Sequence, residues 1–141
     1  MSAEARQSTC VAIGNRAILI EGAPGSGKSS LALALIDRGA MLVGDDSVML
    51  EARDGWLFAS PHPHTRGLLE VRNLGLVPHD CTEKVAVALV LHLEGSAPRY
   101  IEKAESIAIS GVEAPLIRLA PHDAVLAIKA ELALQRYGLP V

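Results

Sequence analysis

The sequence predicts a single α/β domain with a mixed sheet and flanking helices. Three observations carry that prediction. The chain has 141 residues and half of them are apolar, which is enough for one core, since domains typically run about 100–200 residues. The apolar residues fall in short runs separated by Gly, Asn and Asp, the pattern of strands joined by tight turns. Two longer stretches carry helical spacing, one of them directly after a glycine-rich loop. This composition excludes disorder, which needs low hydrophobicity and high net charge.

The elements follow in order. CVAI (10–13) and AILI (17–20) flank Gly14-Asn15-Arg16 and read as a hairpin. The second run leads straight into the glycine-rich loop. KSSLALALIDRG (28–39) holds good helix formers and no β-branched cluster, so it reads as a helix. Leu31, Ala34 and Leu35 define its inner face, and Gly39 fits its C-cap. MLV (41–43) is a short buried strand ending at Gly44-Asp45-Asp46. VMLEA and WLFAS flank Arg53-Asp54-Gly55 as a second hairpin. PHPHT (61–65) is expected to be an exposed, mobile loop, because its two prolines forbid regular structure. RGLLEVRNLGLV (66–77) fits a short helix or a strand equally well. VAVALVLHL (85–93) is continuous and β-branched, the signature of a central strand buried on both faces. The polar SAPRYIEKAE (96–105) is expected at the surface. SIAI (106–109) and PLIRL (115–119) flank Gly111 as strands. The last helix starts near Pro121 and ends before Gly138 and Pro140. Val125, Ile128 and Leu132 are expected to line its inner face, widened by Leu126, Ala130 and Leu134.

Composition narrows the partners. The net charge is −3 and the pI about 5.9, so no basic field invites nucleic acid or an anionic membrane. The aromatics are only Trp56, Phe58, Tyr100 and Tyr137, too few for base-stacking platforms. Cys10 and Cys81 form no metal or disulfide pattern and read as small buried hydrophobes. No secretory leader pattern and no membrane-spanning apolar run is present. A soluble, cytoplasmic protein is expected, with neither nucleic acid nor membrane as partner.

One motif carries the chemistry. Gly22-Ala23-Pro24-Gly25-Ser26-Gly27-Lys28-Ser29 fits GxxxxGK[ST] at every fixed position. Glycines let the backbone curl so that successive N–H groups point at phosphate oxygens. The helix that follows presents its positive end to the same anion. Lys28 is placed to reach the β and γ phosphates, and the Ser29 hydroxyl to ligate Mg2+. A strand before the loop and a helix after it are the context such a loop needs. No NKxD base-reading motif accompanies it, so a GTPase is not indicated. A small kinase or a nucleotide-binding regulator remains.

The acidic pair Asp45-Asp46 closes the next strand. If that strand returns beside the loop strand, its C-terminal end arrives at the phosphates, where ligands sit in α/β sheets. One carboxylate there can hold Mg2+ and a second can accept the proton of an attacking hydroxyl. A solvated turn would use the same residue types. Glu70, between Arg66 and Arg72, and Glu94, at the end of the central strand, are further candidates that periodicity does not separate. His62-Pro63-His64 is better read as loop than as a zinc site.

Taken together, GAPGSGKSSLALALIDRGAMLVGDD and LEVRNLGLVP (69–78) resemble the catalytic domain of the HPr kinase/phosphorylase family. The likeness spans roughly residues 7–136 and is closest in pattern to a short alphaproteobacterial form without the family's N-terminal domain. The expected organisation is thus one catalytic domain over residues 1–141. The resemblance implies the phosphate-loop fold shared with phosphoenolpyruvate carboxykinase. It implies ATP and Mg2+ as cofactors, an HPr-like phosphocarrier as partner, and a homo-oligomer, a hexamer. Lys28 matches the phosphate-loop lysine and Ser29 the Mg2+-binding hydroxyl. Asp46 matches the general base toward the target serine, and the general acid in reverse. Asp45 matches its metal-supporting neighbour and Glu70 the second Mg2+ ligand. Arg99 is the loosest match, to a catalytic arginine. Two positions depart from the family pattern: Gln7 stands where the family has a functional histidine, and Asn73 replaces a signature glycine. Glutamine cannot exchange a proton near neutral pH. Asn tolerates the left-handed conformation better than most residues.

The implied activity is protein-serine phosphorylation, with phosphorolysis of phosphoserine as its reverse. A non-catalytic ATP-binding sensor and a small-molecule kinase are the alternatives. Gln7 favours the sensor. The small-molecule kinase would want an arginine-bearing lid, for which PHPHT is poor material.

Overall fold

The computed structural model describes residues 3–141. Eleven strands and two helices appear among them. They are β1 (Glu4–Arg6), β2 (Thr9–Ile13), β3 (Arg16–Gly22), α1 (Lys28–Asp37), β4 (Met41–Gly44), β5 (Val48–Arg53) and β6 (Trp56–Pro61). There follow β7 (Leu68–Val71), β8 (Gly75–Pro78), β9 (Val85–Leu93), β10 (Glu105–Ile109), β11 (Val112–Leu119) and α2 (Leu126–Tyr137). The architecture is α/β with a mixed sheet, as the patterning predicts.

Nine strands form one sheet in the order β1-β5-β6-β9-β3-β2-β4, with β11 also on β9 and β10 outside it. The parallel pairs are β3 with β9 and β9 with β11; the other pairs in this sheet are antiparallel. Strand β9 is the hub. One edge takes β3 along most of its length; the other takes β6 at Val85–Ala86 and β11 from Val90 onward. Its register with β3 slips between Ala17 and Ile18, which leaves Ala88 as an extra residue. The freed Ala88 carbonyl accepts the Leu139 N–H at 2.9 Å, so the bulge anchors the chain after α2.

The two-residue period of the strands divides the core. Ile18 and Ile20 of β3 face α1 and α2, in a cluster with Leu31, Leu35, Leu91 and Leu134. Ala17 and Leu19 face the opposite side, with Val48, Leu50, Leu57, Val90 and Leu116. Each such side chain contributes about 1.5–3 kcal/mol when taken fully out of water. Burial on both faces explains why β9 reads as an unbroken apolar run.

Several elements differ from expectation. Strand β4 does not pair with β3; β2 lies between them, antiparallel to both. Two reversals leave β4 running in the direction of β3, so the acidic pair still reaches the loop end of the sheet. Residues 66–77 resolve as the β7–β8 hairpin, a separate two-stranded sheet. Strand β1, on the polar Glu4–Arg6, carries no apolar signal and is held by pairing with β5. PHPHT forms hydrogen-bonded turns, with Thr65 N–H donating to His62 O at 3.1 Å and Leu68 N–H to Thr65 O at 3.2 Å. Cys10 is buried, whereas Cys81 is only half-buried.

The helices also correct the sequence reading. Ala34 of α1 is exposed, and Ala32 takes its place on the inner face. The helix ends in a Schellman motif: Ala40 N–H donates to Leu35 O and Gly39 N–H to Ile36 O, with Gly39 at φ 109°. On α2, the expected inner residues Val125, Ile128 and Leu132 are 45, 42 and 49 % exposed. Leu126, Ala130 and Leu134, expected only to widen that face, are buried and form it together with Ala133. The two alanines let the helix lie close to the sheet, and apolar spacing alone could not rank a small-residue face above a large one.

Candidate active site

The loop between β3 and α1 sets the geometry. Gly22, Gly25 and Gly27 have φ of 154, 81 and 93°, values that L side chains adopt at a penalty. At Gly22 a Cβ would stand 2.7 Å from Ser26 Oγ and 2.9 Å from the Leu93 carbonyl, so only glycine fits. The curl holds a buried Ser26 hydroxyl with no hydrogen-bond partner. It also folds the Lys28 ammonium over the loop, where it donates to Gly22 O at 2.9 Å and Ala23 O at 3.4 Å. A cradle of curled backbone, an unpartnered hydroxyl and a lysine at a helix N-terminus is suited to a phosphate chain.

A cleft of about 570 Å3 opens on this loop. Lys28, Ser29, Asp45, Asp46 and Glu70 all line it, as the motifs predict, and so do Gln7, Thr9, Arg72 and His122. Arg99 does not: it is exposed in the loop that follows β9 and contributes nothing to the cleft wall. Arg72, on the β7–β8 turn, is the arginine the fold brings there. Glu94 is absent from the wall as well, because Arg118 Nη1 and Ser96 Oγ hold its carboxylate at 2.5 and 2.7 Å. The structure thus separates Glu70 from Glu94.

Asp45 is the hub of the acidic side. It is 6 % exposed. Its Oδ1 accepts from Ser29 Oγ at 2.7 Å and from Thr9 Oγ1 at 2.9 Å. Its Oδ2 accepts from the Glu70 backbone N–H at 2.8 Å. One carboxylate thereby ties α1, β2 and β7 together. Thr9 Oγ1 also accepts from the Asp46 N–H at 3.3 Å, which orients the second acid. Asp46 is exposed and left-handed, at φ 64°. The sequence does not mark Thr9, since nothing local links residue 9 to residues 45 and 46. Its one visible sign is a polar residue at the head of an apolar strand.

The donor set fits Mg2+. Ser29, Asp45 and Glu70 offer hard oxygens beside the phosphate cradle, and no group of three His, Cys, Asp or Glu side chains able to hold a metal stands among the described residues. Mg2+ is usually held through one or two carboxylates plus substrate phosphates and water rather than by an all-protein cage.

The geometry agrees with the family comparison. Residues 2–105 match the family model described as the HPr serine kinase C-terminal domain. The chain belongs to that family. An HPr kinase/phosphorylase of Clostridium botulinum (strain Eklund 17B / Type B) is 39 % identical over 84 residues, covering 55 % of this chain and 28 % of the relative. That of Streptococcus thermophilus is 33 % identical over 115 residues, covering 72 % and 37 %. The HPr-kinase-like chain therefore spans roughly a third of the length of these curated relatives. The solved HPr(Ser) kinase/phosphatase of Coxiella burnetii superposes with a TM-score of 0.84 at 24 % identity. It covers 94 % of this chain and 88 % of that one, and shows a shared fold. No helix among the described residues is long and apolar enough to cross a membrane.

Proposed function

We propose that this domain is an ATP- and Mg2+-dependent protein-serine kinase acting on an HPr-like phosphocarrier, with phosphorolysis of phosphoserine by inorganic phosphate as a second activity of the same site. The observation that carries the proposal is the convergence of the phosphate loop, Asp45-Asp46 and Glu70 on one cleft. The fold type is the phosphate-loop arrangement shared with phosphoenolpyruvate carboxykinase.

In this reading the loop N–H groups and Lys28 hold the triphosphate. Ser29, Asp45 and Glu70 would hold Mg2+, which would neutralise charge on the phosphate oxygens. Asp45 fixes the Ser29 hydroxyl from behind. Asp46, free at the cleft mouth, accepts the serine proton as the serine oxygen bonds to the γ-phosphorus and the bond to ADP breaks. In phosphorolysis, inorganic phosphate attacks the phosphoserine phosphorus as its bond to the serine oxygen breaks. Asp46 then returns a proton to the departing serine oxygen, and pyrophosphate leaves. A loose transition state asks for positioning and positive charge more than for a strong base. Lys28 and Arg72 supply that charge; Arg99 is not part of the cleft wall.

A homo-oligomer, hexameric by family resemblance, belongs to the same proposal. The exposed apolar row Val125, Ile128 and Leu132 supports it. A nucleotide-binding regulator is the second reading, favoured by Gln7 on the cleft wall.

The test is transfer of labelled γ-phosphate from Mg–ATP to the phosphocarrier. Label should appear on the carrier and vanish when its target serine is alanine or when the enzyme carries Asp46→Asn. Nucleotide binding without transfer would overturn the kinase reading in favour of the regulator.

A further inference from the structure

We infer that His122 is a phosphate-binding residue of the nucleotide site, donating an imidazole N–H to the bound triphosphate. The inference rests on the cleft's being a nucleotide site, as proposed above.

His122 belongs to no motif and reaches the cleft through topology. Strands β3, β9 and β11 run parallel, so their C-terminal ends lie on one edge of the sheet. The chain leaving β11 therefore emerges beside the phosphate loop, although about ninety residues separate them. Glu94 N–H donates to Leu119 O at 3.0 Å and fixes that exit. The turn that follows is held at its far side. Asp123 Oδ1 accepts from the Val125 N–H at 2.9 Å, and its other oxygen pairs with Lys129.

His122 sits at the apex of this turn with φ 61°, a conformation His adopts more readily than most residues but still at a penalty. Its ring lies over Gly27, the residue that opens α1. A Cβ on Gly27 would meet His122 Cε1 at 3.4 Å and Nδ1 at 3.5 Å. The imidazole therefore stands beside the phosphate cradle, at contact distance from where a Gly27 side chain would begin. It is the one histidine among the described residues that line the cleft. Imidazole donates N–H in its neutral and charged forms alike. A donor held over the loop's last glycine faces the same anion as the loop N–H groups and Lys28.

The experiment measures Mg–ATP affinity by calorimetry for the wild-type chain, His122→Leu and His122→Asn. Asn suits φ above zero and keeps an N–H donor near the Nδ1 position. Loss of a hydrogen bond to a charged group weakens binding by about 10- to 100-fold, and that is expected for His122→Leu. His122→Asn should recover most of the affinity. The His122 Cε1 proton of the wild type, assigned by its absence in His122→Asn, should also shift on adding Mg–ATP. Wild-type affinity in His122→Leu, or an unmoved Cε1 signal in a wild type that binds ATP, would overturn the inference. A wild type that binds no nucleotide would overturn the nucleotide-site reading itself, so the two failures are distinct.

Discussion

Thr9 illustrates how one buried hydroxyl can organise an acidic pair. It is fully buried, donates to Asp45 and accepts from the Asp46 N–H. Valine has nearly the same shape but neither function. Thr9→Val should leave the Asp46 N–H without its partner and remove one of three donors to a buried carboxylate. The expected loss is about 1–3 kcal/mol, the desolvation penalty of polar groups left unmade. Thr9→Ser should retain most of the stability. Urea denaturation of the three proteins checks this, and equal midpoints for Val and wild type would contradict the hub. Lys28, Ser29, Asp45 and Asp46 are legible in the sequence because their chemistry is written in local order: a loop, a helix start, a strand end; Glu70 is set apart from Glu94 there only by the family resemblance. Thr9 and His122 are not legible, because only the folded sheet brings residues 9 and 122 to that loop. Arg72 is visible merely as a neighbour of Glu70, and Arg99, the loosest match, lies outside the cleft wall. Asn73 has φ 75°, so the signature-glycine position keeps its left-handed backbone.

Elements were readable where a period or a turn signal was strong. The run 85–93, the hairpin turns and the loop-to-helix transition fall in this class. The 66–77 stretch was ambiguous because two four-residue strands flank a turn that carries no Asn-Gly or Asp-Gly pair. The arrangement of β9, β10 and β11 adds a charge cluster that no period reveals. Arg118 of β11 binds Glu94 at the end of β9 and, through Nε and Nη2, Glu105 of β10 at 2.7 and 3.1 Å. Hydrogen bonds from Arg118, then from Ser96, hold the Glu94 carboxyl below its ordinary range; Arg118 does the same for Glu105. Both folded-state values are depressed, so the stabilisation is present above the unfolded carboxylate range, about pH 4.3. It is lost as pH falls through the depressed values. Arg118→Met should therefore be less stable than wild type at pH 7, with the gap closing below about pH 4. It should also narrow in high salt, because the cluster lies at the surface. Thermal denaturation across pH tests this, and a gap that persists at pH 2 would mean the methionine disturbs packing instead.

At the scale of the whole molecule, fold class was readable from composition and patterning, while the strand order was not. The same apolar runs would serve a sheet with β4 directly beside β3. What selects β2 between them is long-range pairing, in which Thr9 meets Ile20 and Cys10 meets both Leu19 and Gly44. That arrangement gathers one site from β2, the phosphate loop, β4, the β7–β8 hairpin and the turn before α2. A ligand that binds only this assembled cleft must stabilise the entire domain by mass action. At 100 times its Kd, Mg–ATP should add about 2.7 kcal/mol. For a domain of this size each kcal/mol moves Tm by about 3–5 °C, so the expected rise is about 10 °C. Lys28→Met should abolish most of that rise. Its own Tm should change little, because among the described residues the ammonium makes two hydrogen bonds, both to carbonyls of the loop it lies over. Differential scanning calorimetry with and without Mg–ATP separates the outcomes. A full rise in Lys28→Met would place the nucleotide outside the phosphate loop. A rise in wild type alone would tie the stability of the whole sheet to the phosphate chain held at its edge.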